Sequence, residues 1–279
     1  MKKDVLNIED LQKLAPFFKS RFGTWIGKLL IKWFGVDKIN RVHSNSVHLS
    51  GAEFTSALLK DPLIDLKYKI HNEETLNQLP HGAFVTVSNH PIGSLDGVIL
   101  IDIFAYRRPD FKVLVNGVLT HIHALSDNFI SVVPDSERQG ANLQNVNGIR
   151  TAFACLKEGH PIGFFPAGGI SSYSKKRKEV RDHRWALSII RLIRKTQVPV
   201  IPVYFGFQNS RFFYWLGTIN WRIRTLRIPA EVFNKRGKTA DIYIGKPITV
   251  EEINKIPDDG ELGNFLYQRT YQAKGHTSD

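Results

Sequence analysis

Apolar and polar positions fall in blocks along this chain, with the lengths of strands and helices. The sharpest block is 83–100, AFVTVSNHPIGSLDGVIL. Its first apolar, β-branched run ends at Ser88-Asn89-His90-Pro91 and predicts a buried strand; the second, continuing to Tyr106, predicts a packed helix. Comparable short runs predict strands over 66–70, 112–115, 128–133, 161–165, 198–207 and 240–244. Helical spacing marks 52–60, 73–79, 185–195 and 261–273. It is clearest over 142–158, where Leu143, Val146, Ile149, Phe153 and Leu156 share one stripe.

Strands alternating with helices predict a single α/β domain, with a mostly parallel or mixed central sheet flanked by helices. Within it, Pro199 and Pro202 cannot donate to a ladder, so the 198–207 strand is expected at an edge or irregular. No internal repeat or evident linker divides the chain.

Ahead of this body, 9–34 reads as two short helices broken near 20–23. The second sets Trp25, Ile26, Leu29, Leu30 and Trp33 against Lys28 and Lys32. Tryptophans with lysines suit a helix lying in a membrane interface, and equally a surface helix docked on the core. The expected division is therefore 1–40 as amphipathic, membrane-associating helices and 41–279 as the α/β domain.

Composition narrows the partners. The 279 residues carry a net charge of +12, which favours an anionic partner, and a hydrophobic content of 42% supports a large core. The single cysteine excludes an internal disulfide and fits a reducing compartment. The opening MKKDVLNIED lacks the apolar core of a signal peptide, and no apolar run reaches the ~18 residues of a membrane span. A peripheral location is expected.

The candidate chemistry centres on His90 and Asp96. Pro91 biases His90 away from helical angles, which puts the imidazole at the carboxyl end of a strand, where open α/β sheets bind ligands. An imidazole with a nearby carboxylate is a general base, and Cys155 lies in a distant predicted helix. The nucleophile would then be a substrate hydroxyl. The structural alternative is that His90 merely ends the strand and Asp96 caps the helix. Gly168-Gly169 can aim backbone amides at an anion, with Ser171 and Ser172 as hydroxyl donors, or form a simple turn.

The basic run Lys175, Lys176, Arg177, Lys178, Arg181 and Arg184 is either a solvated face or a site for anionic lipid, at ~1 kcal/mol per cation. An acidic carrier protein or the phosphates of coenzyme A would suit it too. No zinc-finger spacing or RNA-binding signature accompanies it, so nucleic acid is set aside. His121 and His123 could share a face as metal ligands of a hydrolase, but no further Asp-x-His pattern supports them, and no metal is expected.

His90 to Asp96, FFPAGGIS at 164–171 and VPVIPVYF at 198–205 occur in this order, each at a strand end. Together they resemble the glycerophospholipid (lysophosphatidate-type) acyltransferase superfamily, over roughly 79–207. The nearest branch is that of bacterial hemolysin-like or lyso-amino-lipid acyltransferases. The resemblance implies transfer of a fatty acyl group from an acyl carrier protein or coenzyme A thioester to the hydroxyl of a lysolipid acceptor. It implies catalysis by His90 and Asp96 and a substrate site drawn from Asn89, Gly93, Arg138, Phe165, Pro166, Gly168, Gly169 and Ser171. It further implies an anionic membrane surface at the cytoplasmic face of the inner membrane, with no metal or redox cofactor. Two departures stand out. Five residues separate His90 from Asp96 where the family more often has four. Ala167 occupies the acidic position of the family's Phe-Pro-Glu-Gly turn, which favours an acceptor other than lysophosphatidate, such as an acylated amino-acid lipid.

Overall fold

The computed structural model describes residues 7–9, 12, 15–116, 122–132 and 141–275. Seven strands build the central sheet: β1 (Lys67–His71), β2 (Val85–Ser88), β3 (Lys112–Asn116), β4 (Phe129–Val132), β5 (Ile162–Phe164) and, beyond a small hairpin of β6 (Ser172–Ser174) and β7 (Glu179–Arg181), β8 (Val200–Phe205) and β9 (Thr239–Ile244). Their spatial order is β1-β9-β8-β2-β5-β3-β4. Only β8 against β9 is antiparallel, so the expected mostly parallel α/β domain is what the chain forms.

Helices cover both faces. They are α1 (Arg21–Trp33), α2 (Val36–Ser46), α3 (Gly51–Lys60), α4 (Ser94–Ala105), α5 (Ala141–Lys157), α6 (Leu187–Thr196), α7 (Arg211–Ile219), α8 (Trp221–Leu226), α9 (Ile228–Phe233), α10 (Val250–Asn254) and α11 (Asp259–Gln272). On one face Phe54, Ile99 and Phe104 pack with Ile201 and Val203; on the other Val85, Val87 and Phe164 pack with Ile189, Ile193 and Leu266. Along β8, Ile201 and Val203 thus feed one core and Val200 the other, as the strand period of two requires. Helix α4 is buried at every residue after Ser94, which explains its apolar sequence all round.

The proline-bearing strand is not at an edge. β8 sits third in the sheet, between β9 and β2. Pro202 tolerates that place because it turns toward β9 where the ladder breaks. Pairing with β9 stops at Val203–Ile244, the Pro202 carbonyl accepts from Gly245 N, and contact resumes only at the Val200–Ile248 bridge. The missing N–H therefore leaves no partner stranded.

At the N-terminal end a short 3₁₀ turn, Pro16–Lys19, precedes α1, and Ser20 caps α1 by accepting from Gly23 N. The break expected near 20–23 thus lies at Ser20. Gly23 and Gly27 are the buried positions of α1, whereas Phe22, Trp25, Leu29 and Trp33 form an exposed stripe and Leu30 is half-buried. The indoles do not pack inward. Helices α2 and α7–α9 have no counterpart in the hydrophobic pattern. Among the described residues no helix is long and apolar enough to cross a membrane.

Candidate active site

Strand β2 ends in the loop that carries His90, and α4 begins four residues later with Asp96 in its first turn. The Asp96 carboxylate is fully buried, and its Oδ2 accepts from the backbone amides of Ile92 (2.9 Å) and Gly93 (3.0 Å). Two amide bonds hold this oxygen, and it lies 2.9 Å from Nδ1 of His90. Capping and pairing, alternatives in the sequence, are thus one arrangement: the cap bonds aim the carboxylate at the ring. The Nδ1 contact is close but not in line, so Nδ1 is left without a well-directed hydrogen bond, as is Oδ1 of Asp96. Such pairs commonly tighten only with substrate in place. The His90 side chain is 19% exposed, and among the described residues none bonds its Nε2.

Gly93 has φ +97°, a backbone region that side chains disfavour, and an added Cβ would come within 2.8 Å of Ile170 Cδ1. The glycine therefore makes the tight turn between His90 and Asp96 possible. It also lets the 166–171 loop close against it.

That second loop positions the histidine. Phe165 lies against the imidazole with ring centroids 4.3 Å apart. Ser171 N donates to the His90 carbonyl at 2.8 Å. Asp182, just after β7, accepts from the His90 backbone amide through Oδ1 (3.1 Å) and from the Ser171 hydroxyl. Its Oδ2 accepts from the Trp185 indole at 3.0 Å. Burial pushes the Asp182 carboxyl above the ordinary carboxylate range, against these bonds, which favour the ionised form. Asp182 is a residue the sequence reading passed over, because it sits inside a run read only for its cations.

A buried network supports the loop from the other side. Asn209 Nδ2 donates to the carbonyls of Pro91 (3.3 Å) and Ile92 (3.1 Å), and Tyr214 OH donates to Pro91 at 3.0 Å. Lys235 Nζ donates to Asn209 Oδ1 at 2.7 Å and lies 3.6 Å from the buried carboxylate of Glu231. Burial lowers the Lys235 ammonium pKa and raises that of the Tyr214 hydroxyl.

Several residues expected at the substrate are turned to structural work. Asn89 is buried and clamps Phe205 of β8, donating to its carbonyl and accepting from its amide. The Ser171 hydroxyl is spent on Asp182, and the Gly168 amide donates to the Phe165 carbonyl in the turn. Gly93 N is likewise spent, on Asp96. Pro166 is buried and Gly169 is exposed. Lys175, Lys176, Arg177 and Lys178 form the exposed tip of the β6–β7 hairpin. Arg138 and His121 lie outside the described residues, as does the side chain of His123. Among the described residues no group of His, Cys, Asp and Glu is placed to hold a metal.

The model of the family described as Acyltransferase matches residues 11–278. This chain belongs to that family. The acyltransferase is similar to two proteins named lyso-glycine lipid O-acyltransferase. One, from Phocaeicola vulgatus, is 25% identical, with 98% of this chain and 97% of the relative covered. The other, from Bacteroides thetaiotaomicron, is 26% identical over 98% of this chain and all of the relative. Among solved structures, the 1-acyl-sn-glycerophosphate acyltransferase of Thermotoga maritima matches with a TM-score of 0.48 and 15% identity, covering 90% of this chain and 96% of that one.

Proposed function

We propose that this acyltransferase moves a fatty acyl group from a thioester, on acyl carrier protein or coenzyme A, to the free hydroxyl of a lysolipid whose headgroup is an N-acyl amino acid. The observation that carries the reading is the His90–Asp96 pair, with a fixed carboxylate 2.9 Å from Nδ1 and, among the described residues, no partner on Nε2. The names of the two relatives support the lysolipid class, and Ala167 in the turn after β5 supports an acceptor other than lysophosphatidate.

In this reading Nε2 takes the proton of the acceptor hydroxyl as its oxygen attacks the thioester carbonyl. Asp96 stabilises the imidazolium that forms. The tetrahedral intermediate collapses, the C–S bond breaks, and the imidazolium returns its proton to the leaving thiolate. An ester and a free thiol result, with no covalent enzyme intermediate and with atoms balanced without a metal or redox cofactor. The amides of Gly93 and Gly168 are engaged within the protein, on the Asp96 carboxylate and the Phe165 carbonyl. The exposed stripe of α1 supports a peripheral seat on an anionic membrane, which in this reading is the cytoplasmic face of the inner membrane.

A competition between acceptors tests the assignment. With limiting radiolabelled acyl thioester and equal lyso-glycine lipid and lysophosphatidate, the amino-acid lipid should be acylated faster. Faster acylation of lysophosphatidate contradicts the acceptor and leaves the acyl-transfer chemistry standing.

A further inference from the structure

Helices α7 and α8 carry an exposed apolar surface to which nothing in the sequence reading pointed. Phe212, Trp215 and Ile219 repeat at helical spacing along α7, and Trp221, Ile223 and Leu226 continue the surface on α8; all six are between 42% and 59% exposed. Phe212 and Trp215 stack on each other at 5.6 Å. So many large apolar side chains about half exposed on adjoining helices mark a contact surface, since singly scattered ones would need no explanation.

The inner side of these helices is bound to the catalytic loops. Tyr214 of α7 holds the Pro91 carbonyl next to His90. Arg224 of α8 donates to the carbonyls of Ile170 and Ser171, at 3.4 Å each, in the loop that pins the His90 backbone. Burial lowers the pKa of that guanidinium, as expected of a group committed to the interior. The outer, apolar side therefore lies about one helix width, ~10 Å, from the loops around the base.

The charge pattern decides what covers it. Besides the inward-turned Arg224, the chain between 211 and 230 has Arg211, Arg222 and Arg227 and no Asp or Glu. Helix α7 also contacts β6, whose hairpin ends in the exposed Lys175–Lys178 tip. Aromatic and aliphatic side chains beside a cationic rim are what an anionic lipid surface accepts. The same pattern marks α1, where Lys19, Arg21, Lys28 and Lys32 accompany the Phe22–Trp25–Leu29–Trp33 stripe with no acidic residue from 15 to 34.

We propose that the α7–α8 face inserts into the headgroup–acyl boundary of an anionic bilayer, as a second membrane contact beside α1. The inference rests on the lysolipid acyltransferase reading for its purpose. A lysolipid keeps its acyl chain in the bilayer, so its hydroxyl stays near the headgroup plane. An interfacial helix sinks ~5–10 Å into that boundary, and one helix width beyond it the loops present His90. The acceptor then reaches the imidazole without leaving the membrane.

The test uses the full chain with Trp25→Phe and Trp33→Phe. Indoles then remain at Trp215, Trp221 and the buried Trp185. Its fluorescence is followed on vesicles of phosphatidylglycerol with phosphatidylcholine brominated near the top of the acyl chain. Bromine should quench the emission, relative to unbrominated vesicles, and added Trp215→Ser and Trp221→Ser changes should weaken partitioning by ~10-fold or more. Circular dichroism checks that the exposed-site variants stay folded. Absence of quenching overturns the proposal, as does unchanged partitioning by the folded serine variant. Sedimentation equilibrium showing that the serines split a stable dimer overturns it too, in favour of a second copy on this face. All readouts are taken without acyl donor. Whether the chain transfers acyl groups at all is read separately, with acceptor dispersed in detergent, so the two failures are told apart.

Discussion

The carboxylate of Asp182 accepts a hydrogen bond from the backbone amide of His90 at 3.1 Å, across 92 residues of sequence. Together with the Ser171 amide on the His90 carbonyl, it fixes the backbone from which the base projects. We expect Asp182→Ala to lower kcat by up to ~100-fold through misplacement of the ring, with little change in KM. Asp182→Asn keeps one acceptor oxygen and should fall between. Steady-state kinetics on the folded fraction check this, because a merely structural role would reduce the yield of folded protein and leave kcat intact.

The same carboxyl gives a signed pH dependence. Unfolded, it titrates near ~3.9, and burial raises its folded value. Between the two values the native chain holds a proton that the unfolded chain has released. Stability from this group therefore falls as pH rises through the window and is level above it. Urea unfolding of wild type and Asp182→Asn across that range should show a difference that declines with pH. A difference that grows with pH contradicts the assignment.

Lys235 and Glu231 are both buried and joined to the loop through Asn209. Lys235→Met removes the nearer of the two cations beside the Glu231 carboxylate, leaving Arg227 Nε at 4.0 Å, and also strips Asn209 Oδ1 of its donor, so it should cost ~1–3 kcal/mol in urea denaturation. Glu231→Gln in the same chain should restore part of that loss. Equal stability of the single and double variants would refute the coupling.

Gly93→Ala combines a disfavoured φ with a clash on Ile170 and should destabilise the fold by ~1–3 kcal/mol. Adding Ile170→Val removes the clashing Cδ1 and should recover part of that, which thermal unfolding reads out. No recovery would mean that the backbone alone sets the cost.

Much of this was legible because the local pattern and the fold agree. The strand over 83–87, the loop with His90 and Pro91 and the helix holding Asp96 follow from one contiguous block. What escaped depends on contacts distant in sequence. Asp182 was hidden among lysines and arginines, and its signal was an acidic residue set between Arg181 and His183-Arg184, with Trp185 close behind. Asn89 looks like a ligand-facing polar residue, yet Phe205, 116 residues away, takes both ends of its amide. Pro199 and Pro202 predicted an edge or an irregular strand; Pro199 lies just before β8, and only the gap in the pairing with β9 shows why a central place is open to Pro202. Helix α7 carries apolar residues on its outer as well as its inner side, which blurs the period that would reveal it.

The central claim is that His90 Nε2 is the base, held by Asp96. Transfer of radiolabel from an acyl thioester to a lysolipid, followed with His90→Ala, tests it most directly. The account predicts a loss of at least ~10²–10⁴-fold in a normally folded protein, with Asp96→Asn also impaired. Undiminished turnover by folded His90→Ala would contradict it.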